Sequence, residues 1–144
     1  MQFTPETCML KVEKQTKKAG GYMKKHKLED RIATIHFDSG LQFRIDFLPE
    51  NQLRWTSIRE EDAGATAIET IHVEEYPGGI FSIDWVEEDG LCVSYTVDTS
   101  NHYVKSFMTF TDEAYRGGRR PFVHEGPFQL ILENGEPDLA PLEN

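Results

Sequence analysis

The chain has 144 residues, 38% hydrophobic and 28% charged, with a net charge of −10. That length suits one domain with a core of its own, and the composition is ordinary for a soluble globular protein. No apolar run is long enough to cross a membrane as a helix, no short apolar N-terminal core marks a secretory signal, and an acidic body repels nucleic acid. The expectation is therefore a cytoplasmic protein with neither membrane nor nucleic acid as partner.

The charge is uneven. Residues 1–27 hold seven lysines and two glutamates, a balance of +5, while residues 28–144 hold eight basic and twenty-three acidic side chains, a balance of −15. Residues 1–30 read as a lysine-rich arm. Within it, Pro5 to Lys18 could form a short helix, with Pro5 and Glu6 in its first turn, lysines in its last and Gly20-Gly21 beyond. The two cysteines, Cys8 and Cys92, make no Cys-x-x-Cys pair and read as free thiols.

From residue 31 the pattern has the period of strands. Arg31–Asp38 places Ala33, Ile35 and Phe37 on one face, and Asp38-Ser39-Gly40 reads as a hairpin turn in which Gly40 can take positive φ. Leu41–Leu48 alternates Leu41, Phe43, Ile45 and Phe47 against Gln42, Arg44 and Asp46. Gln52–Ile58 carries Leu53 and Trp55 on one face, and Thr66–Tyr76 reads as one longer strand of ambiguous facing. After the turn at Pro77-Gly78-Gly79, the strand Ile80–Glu87 has Phe81, Ile83, Trp85 and Glu87 on one face. Leu91–Asp98, His102–Phe110 and Gly126–Glu133 complete the set, with residues 111–125 as a long connection and 134–144 as a loose tail. Eight short strands joined mostly by tight turns predict one all-β, antiparallel up-and-down barrel over residues 31–133, with a two-sheet sandwich as the alternative; eight is the strand number at which a closed barrel holds packed side chains or one small ligand.

The inward set inferred from parity contains Ile35, Phe37, Phe43, Ile45, Trp55, Phe81, Ile83, Trp85, Glu87, Leu91, Val93 and Tyr95. Such a lining suits a small aromatic or apolar molecule with one polar group. A half-buried Glu87 would have its pKa raised by desolvation and could donate a proton near neutral pH. The alternative is that the aromatics are simply core and that Glu87 pairs with Arg44 or Arg54. Histidines 26, 36, 72, 102 and 124 form no His-x-His or His-x₃-His pair, so no metal site is expected, and no glycine motif cradles a phosphate. Arg116, Arg119 and Arg120 mark either a solvated loop or a carboxylate clamp at the barrel mouth.

The runs Ile35–Ile45, Leu53-Arg54-Trp55 and Gly79–Glu87, with Gly90 and Val93-Ser94, resemble the calycin (lipocalin-like) barrels, specifically the group joining phenolic acid decarboxylases with MoaF-like proteins. The resemblance spans roughly residues 31–110. It implies that Glu87 matches the glutamate that protonates a para-hydroxycinnamate before CO2 leaves, without a cofactor. It also implies that Phe43, Leu91 and Val93 match pocket residues. Two departures weigh against that chemistry. Ile35 and Phe37 stand where the decarboxylases carry two tyrosines, and their arginine would fall near Gly64 or Ala65; Arg59 could replace it only if the loop were rearranged. A substrate carboxylate would then lie unpaired unless Tyr95, Tyr103 or Arg44 met it.

The reading is a MoaF-like barrel whose partner is a small-molecule ligand held by Ile35, Phe37, Phe43, Trp55, Ile83, Trp85, Leu91, Val93 and Tyr95, with Glu87 as polar anchor and no cofactor. The competing class is a cofactor-free lyase or isomerase using Glu87 as general acid. A third is a filled barrel acting through its surface as a homodimer.

Overall fold

The computed structural model describes residues 24–142. The Pro5–Lys18 helix and Cys8 lie outside those residues. Nine strands are present: β1 Ile32–His36, β2 Gln42–Leu48, β3 Gln52–Ser57, β4 Thr66–Thr70, β5 His72–Tyr76, β6 Ile80–Val86, β7 Cys92–Asp98, β8 Tyr103–Thr111 and β9 Arg119–Ile131. They form one antiparallel sheet in the order β4-β3-β2-β1-β9-β8-β7-β6-β5. The two outermost strands, β4 and β5, follow each other in the chain through Ile71, so the sheet curls into a nearly closed barrel.

The expected eight strands become nine because Thr66–Tyr76 serves two neighbours. Its first half pairs with β3, and Ile71 N–H still donates to Asn51 C=O at 2.9 Å; from His72 onward it pairs with β6. Its parity runs unbroken through the bend. Glu69 lies opposite Leu53, Val73 opposite Ile83 and Glu75 opposite Phe81, so odd-numbered residues face inward.

The last strand also differs from expectation. It starts at Arg119 rather than Gly126 and ends at Ile131 rather than Glu133. Its residues 119–127 pair with β8 and its residues 128–131 with β1. Glu125 C=O accepts from Asp38 N–H at 2.8 Å, so odd-numbered residues turn their backbone away from β8. Pro121 and Pro127 are both odd, and neither removes a bond to β8.

Gly126 marks the place where β9 passes close to β1. A Cβ built there would lie 1.9 Å from the carbonyl oxygen of His36. Gly40 has φ of 96°, as its hairpin requires.

One end of the barrel is solid. Phe81, Phe128, Ile35, Ile45, Leu53, Ile83, Val97 and Val104 are almost fully buried, and Leu28 joins them from the segment before β1. Asp30 N–H to Phe47 C=O and Lys27 N–H to the Glu75 carboxylate hold that segment across the end. The C-terminal stretch lies against the barrel as well: Arg31 Nε donates to Asp138 at 3.0 Å, and Leu142 packs on the core. The other end, bounded by the hairpins at residues 37–41 and 87–91, is not filled.

Candidate functional site

At the unfilled end the inner faces of the strands leave a cavity of about 130 Å³, lined by Leu41, Phe43, Trp55, Trp85, Glu87, Leu91, Val93, Tyr95, Met108 and His124. Alternation along β6 and β7 puts Trp85, Val93 and Tyr95 there. Glu87 follows Trp85 by two residues, at the base of a hairpin closed by Glu87 N–H to Leu91 C=O at 2.7 Å. Trp85 stands edge-on to Tyr95, with centroids 4.9 Å apart, and Phe43 edge-on to Trp55 at 5.9 Å. Larger concavities occur, among them an open groove on the outer faces of β6 to β8, among Asp84, Val86, Ser94 and Phe107. Its polar side chains include Thr70, His72 and Thr109, and Asp84 there accepts from the hydroxyls of Ser82 and Ser94.

Of the ten residues expected from sequence, seven line the cavity: Glu87, Phe43, Trp55, Trp85, Leu91, Val93 and Tyr95. Ile35, Phe37 and Ile83 face inward but lie in the packed core and are not among the lining residues. Phe37 supports the site from behind, stacking flat on His124 with centroids 3.7 Å apart.

Two polar residues were not expected. Glu69, on β4, is buried, and its Oε2 accepts the Trp55 indole N–H at 2.9 Å. His124, on β9, is 3% exposed; its Nδ1 meets Ser39 Oγ at 2.8 Å, while its Nε2 is buried with no partner among the described residues. Inward parity along His124, Gly126, Phe128 and Leu130 would have revealed the histidine had β9 been started at the Gly117-Gly118 turn.

The electrostatics centre on Glu87. Its Oε2 accepts the Trp85 indole N–H at 3.2 Å. Burial raises its pKa, the Trp85 bond partly offsets this, and the charges of Glu69 and Asp89 raise it further. Burial, then the charge of Glu87, pushes the Tyr95 hydroxyl upward, so Tyr95 is a neutral phenol. Burial lowers His124, against a smaller opposing pull from Asp38.

No arginine reaches the cavity lining. Arg44 pairs with Asp46 at 3.0 Å and with Glu133 at 3.3 Å, which excludes it as the partner of Glu87. Arg59 is tied to Asp62 at 2.9 Å; its bond, with that of Ser57, holds Asp62 down to about 2. Arg119 donates to Thr109 C=O and Gly90 C=O, and Arg120 pairs with Asp112, so two of the three arginines offered as a clamp at the mouth are committed to the protein itself. Tyr103 donates to Glu125 at 2.6 Å and does not line the cavity. Among the described residues no three His, Cys, Asp or Glu side chains are grouped to hold a metal, and no helix is long and apolar enough to cross a membrane.

A pH dependence follows from Glu87. Its folded pKa is raised above the ordinary 4.5, so the folded state holds the proton more tightly than the unfolded chain. Its contribution to stability is greatest in acid and is lost as pH rises through the folded pKa. Glu87→Gln removes that loss. The melting temperature of Glu87→Gln minus that of wild type should grow from about pH 4.5 upward and then level off; a flat difference would mean that Glu87 is fully solvated.

A family model described as MoaF-like matches residues 30–118. Comparison with curated proteins returns no match. Among solved structures, a protein from Burkholderia vietnamiensis carrying a provisional beta-lactamase description superposes with a TM-score of 0.61 at 16% identity, over 72% of this chain and 95% of that one. At that identity the likeness extends to the fold alone.

Proposed function

The chain belongs to the MoaF-like family, and from that premise we propose that its barrel binds one small apolar or aromatic molecule, with Glu87 as the polar anchor. The observation that carries this reading is the 130 Å³ cavity walled by Phe43, Trp55, Trp85 and Tyr95 with a carboxylate at its edge. Its size limits the ligand. An apolar cavity of roughly 150 Å³ in another protein accepts benzene, so this one suits a single ring or a branched alkyl group. A ring bearing a propenoate arm would need the mouth to open.

A second reading, a cofactor-free lyase or isomerase with Glu87 as general acid, is favoured by one observation. Glu87, Tyr95 and His124 border the same cavity, and the raised pKa of Glu87 suits proton donation. The size of the cavity, and the lack of a Lys or Arg in its lining among the described residues, oppose a hydroxycinnamate as substrate.

A thermal-shift screen of phenol, other single-ring compounds, hydroxycinnamates and pterins against wild type and Glu87→Gln tests both. Single-ring compounds with a polar group should raise the melting temperature of wild type, and Glu87→Gln should lose the preference for that group. Silence from every compound on both proteins would sink the binding reading. Loss of hydroxycinnamate absorbance with wild type, but not with Glu87→Gln, would place the lyase first.

A further inference from the structure

We propose that two copies of this chain pair through β4, edge to edge and antiparallel, about a two-fold axis at Ile68. This goes beyond the ligand reading and does not depend on what the cavity holds.

β4 is an edge of the sheet, and its bonding groups on the open side are free. Its ladder with β3 runs through odd-numbered residues. Ser57 N–H donates to Ala65 C=O at 2.7 Å and Ile71 N–H to Asn51 C=O at 2.9 Å, with Trp55 opposite Ala67 between them. In an antiparallel ladder the alternate residues turn their N–H and C=O the other way. Thr66, Ile68 and Thr70 therefore direct their backbone away from β3, and no strand among the described residues pairs with them. A straight continuation from His72 opposite Asp84 would set Thr70 opposite Val86 and close the seam. β4 instead leaves β6 at Ile71, and the outer groove bordered by Thr70, His72 and Val86 lies along the split, so the edge is open to a second strand.

The residues of this edge suit its own copy. Thr66, Ile68 and Thr70 lie on the outer face and all are exposed, Ile68 at 53%. They read the same in both directions. Antiparallel pairing centred on Ile68 sets Ile68 against Ile68, Thr66 against Thr70 and, on the inner face, Ala67 against Glu69. The outer row is β-branched throughout, which favours cross-strand contact. In a chain of net charge −10, a second copy is repelled wherever acid meets acid, and here no charge opposes a charge. Glu69, the charged residue of the strand, is buried and held by Trp55 Nε1–H at 2.9 Å. The edge has no Lys, Pro or bulge to keep another strand away. The opposite edge, β5, is guarded: it carries Glu74 and Glu75, and Lys27 N–H donates to Glu75 at 2.9 Å, laying the segment before β1 against it.

The test measures the mass of the full chain by sedimentation equilibrium from micromolar to near-millimolar concentration. Wild type should be a dimer that dissociates on dilution. Ile68→Pro should be a monomer over the whole range; it removes the N–H that faces the partner and no bond to β3, so the barrel keeps its ladder. Ile68→Lys leaves the backbone intact and sets two cations against each other, and it should be a monomer as well. Val123→Ser, on the exposed outer face of β9, should dimerise as wild type does. The amides of Thr66 and Thr70 should exchange with solvent at least about tenfold more slowly in the wild-type dimer than in the Ile68→Lys monomer. A wild type that is monomeric at every concentration would overturn the inference. So would a dimer that survives either Ile68 variant in its folded form, one that Val123→Ser dissociates, or one whose Thr66 and Thr70 amides exchange freely.

Discussion

Gly126→Ala should lower the stability of the protein by more than about 3 kcal/mol, a melting shift on the order of 10 °C for a chain of this size. The added Cβ would sit 1.9 Å from His36 O and 2.9 Å from His36 C, inside the backbone of β1. Backbone cannot swing aside as a flexible side chain would. Either β9 moves off β1 or the pairing from Phe128 onward is lost, and that pairing holds buried Ile35 against Phe128 and Ala33 against Leu130. The conformation of Gly126 itself is not the reason, since its φ is not among the positive ones. Gly40→Ala provides the contrast. There φ is 96° but nothing lies within 4 Å of the new atom, so the cost is only that of a left-handed alanine, about 1–2 kcal/mol. Denaturant midpoints of the two variants, measured side by side, decide the matter. If Gly126→Ala is no worse than Gly40→Ala, β9 does not cross β1 as described.

Alternation in the sequence made much of this molecule legible, and its failures have physical causes. Period two assigns a side chain to a face of a strand. It therefore brought Phe43, Trp55, Trp85, Glu87, Leu91, Val93 and Tyr95, from β2, β3, β6, β7 and the 87–91 hairpin, to one interior. It does not assign a height along the barrel axis, so Ile35, Phe37 and Ile83, equally inward, could not be separated from the cavity lining and lie in the packed core. Glu69 was hidden because it is a polar residue on the inner face of a strand with Glu75 three pleat repeats further on, and alternation reads polar as outward. Its burial is tolerated because the Trp55 indole donates to it. His124 was hidden because Gly117, Gly118 and Pro121 look like loop chemistry. Gly117 and Gly118 do form the turn before β9, and Pro121 is compatible with the strand because the first half of β9 pairs on one side. The two missed polar residues are thus the ones that departed from local rules; His124 lines the candidate site and Glu69 holds its Trp55, and such departures are expected there.

Trp85→Ala is the second large perturbation, and it acts on stability and on the site together. The indole is 6% exposed, packs edge-on against Tyr95 and donates to Glu87 at 3.2 Å. Removing a buried Trp side chain costs about 3–5 kcal/mol, and the lower part of that range applies because one flank of Trp85 already faces empty space. The variant should remain folded at 25 °C if the parent has the usual margin of about 5–15 kcal/mol. Urea unfolding should show a lower midpoint with an unchanged slope. Glu87 then loses both the donor that favours its charged form and part of the burial that disfavours it, and the two act in opposite directions on its pKa. The cavity grows by the volume of an indole, and Trp55 remains as its reporter. Two-part molecules too long for the wild type, such as a naphthalene or a para-substituted styrene, should quench Trp55 in the variant and leave wild-type emission unchanged. Equal quenching in both proteins would mean that the mouth already opens in solution, and Trp85 would then not be the wall that sets the size of the ligand.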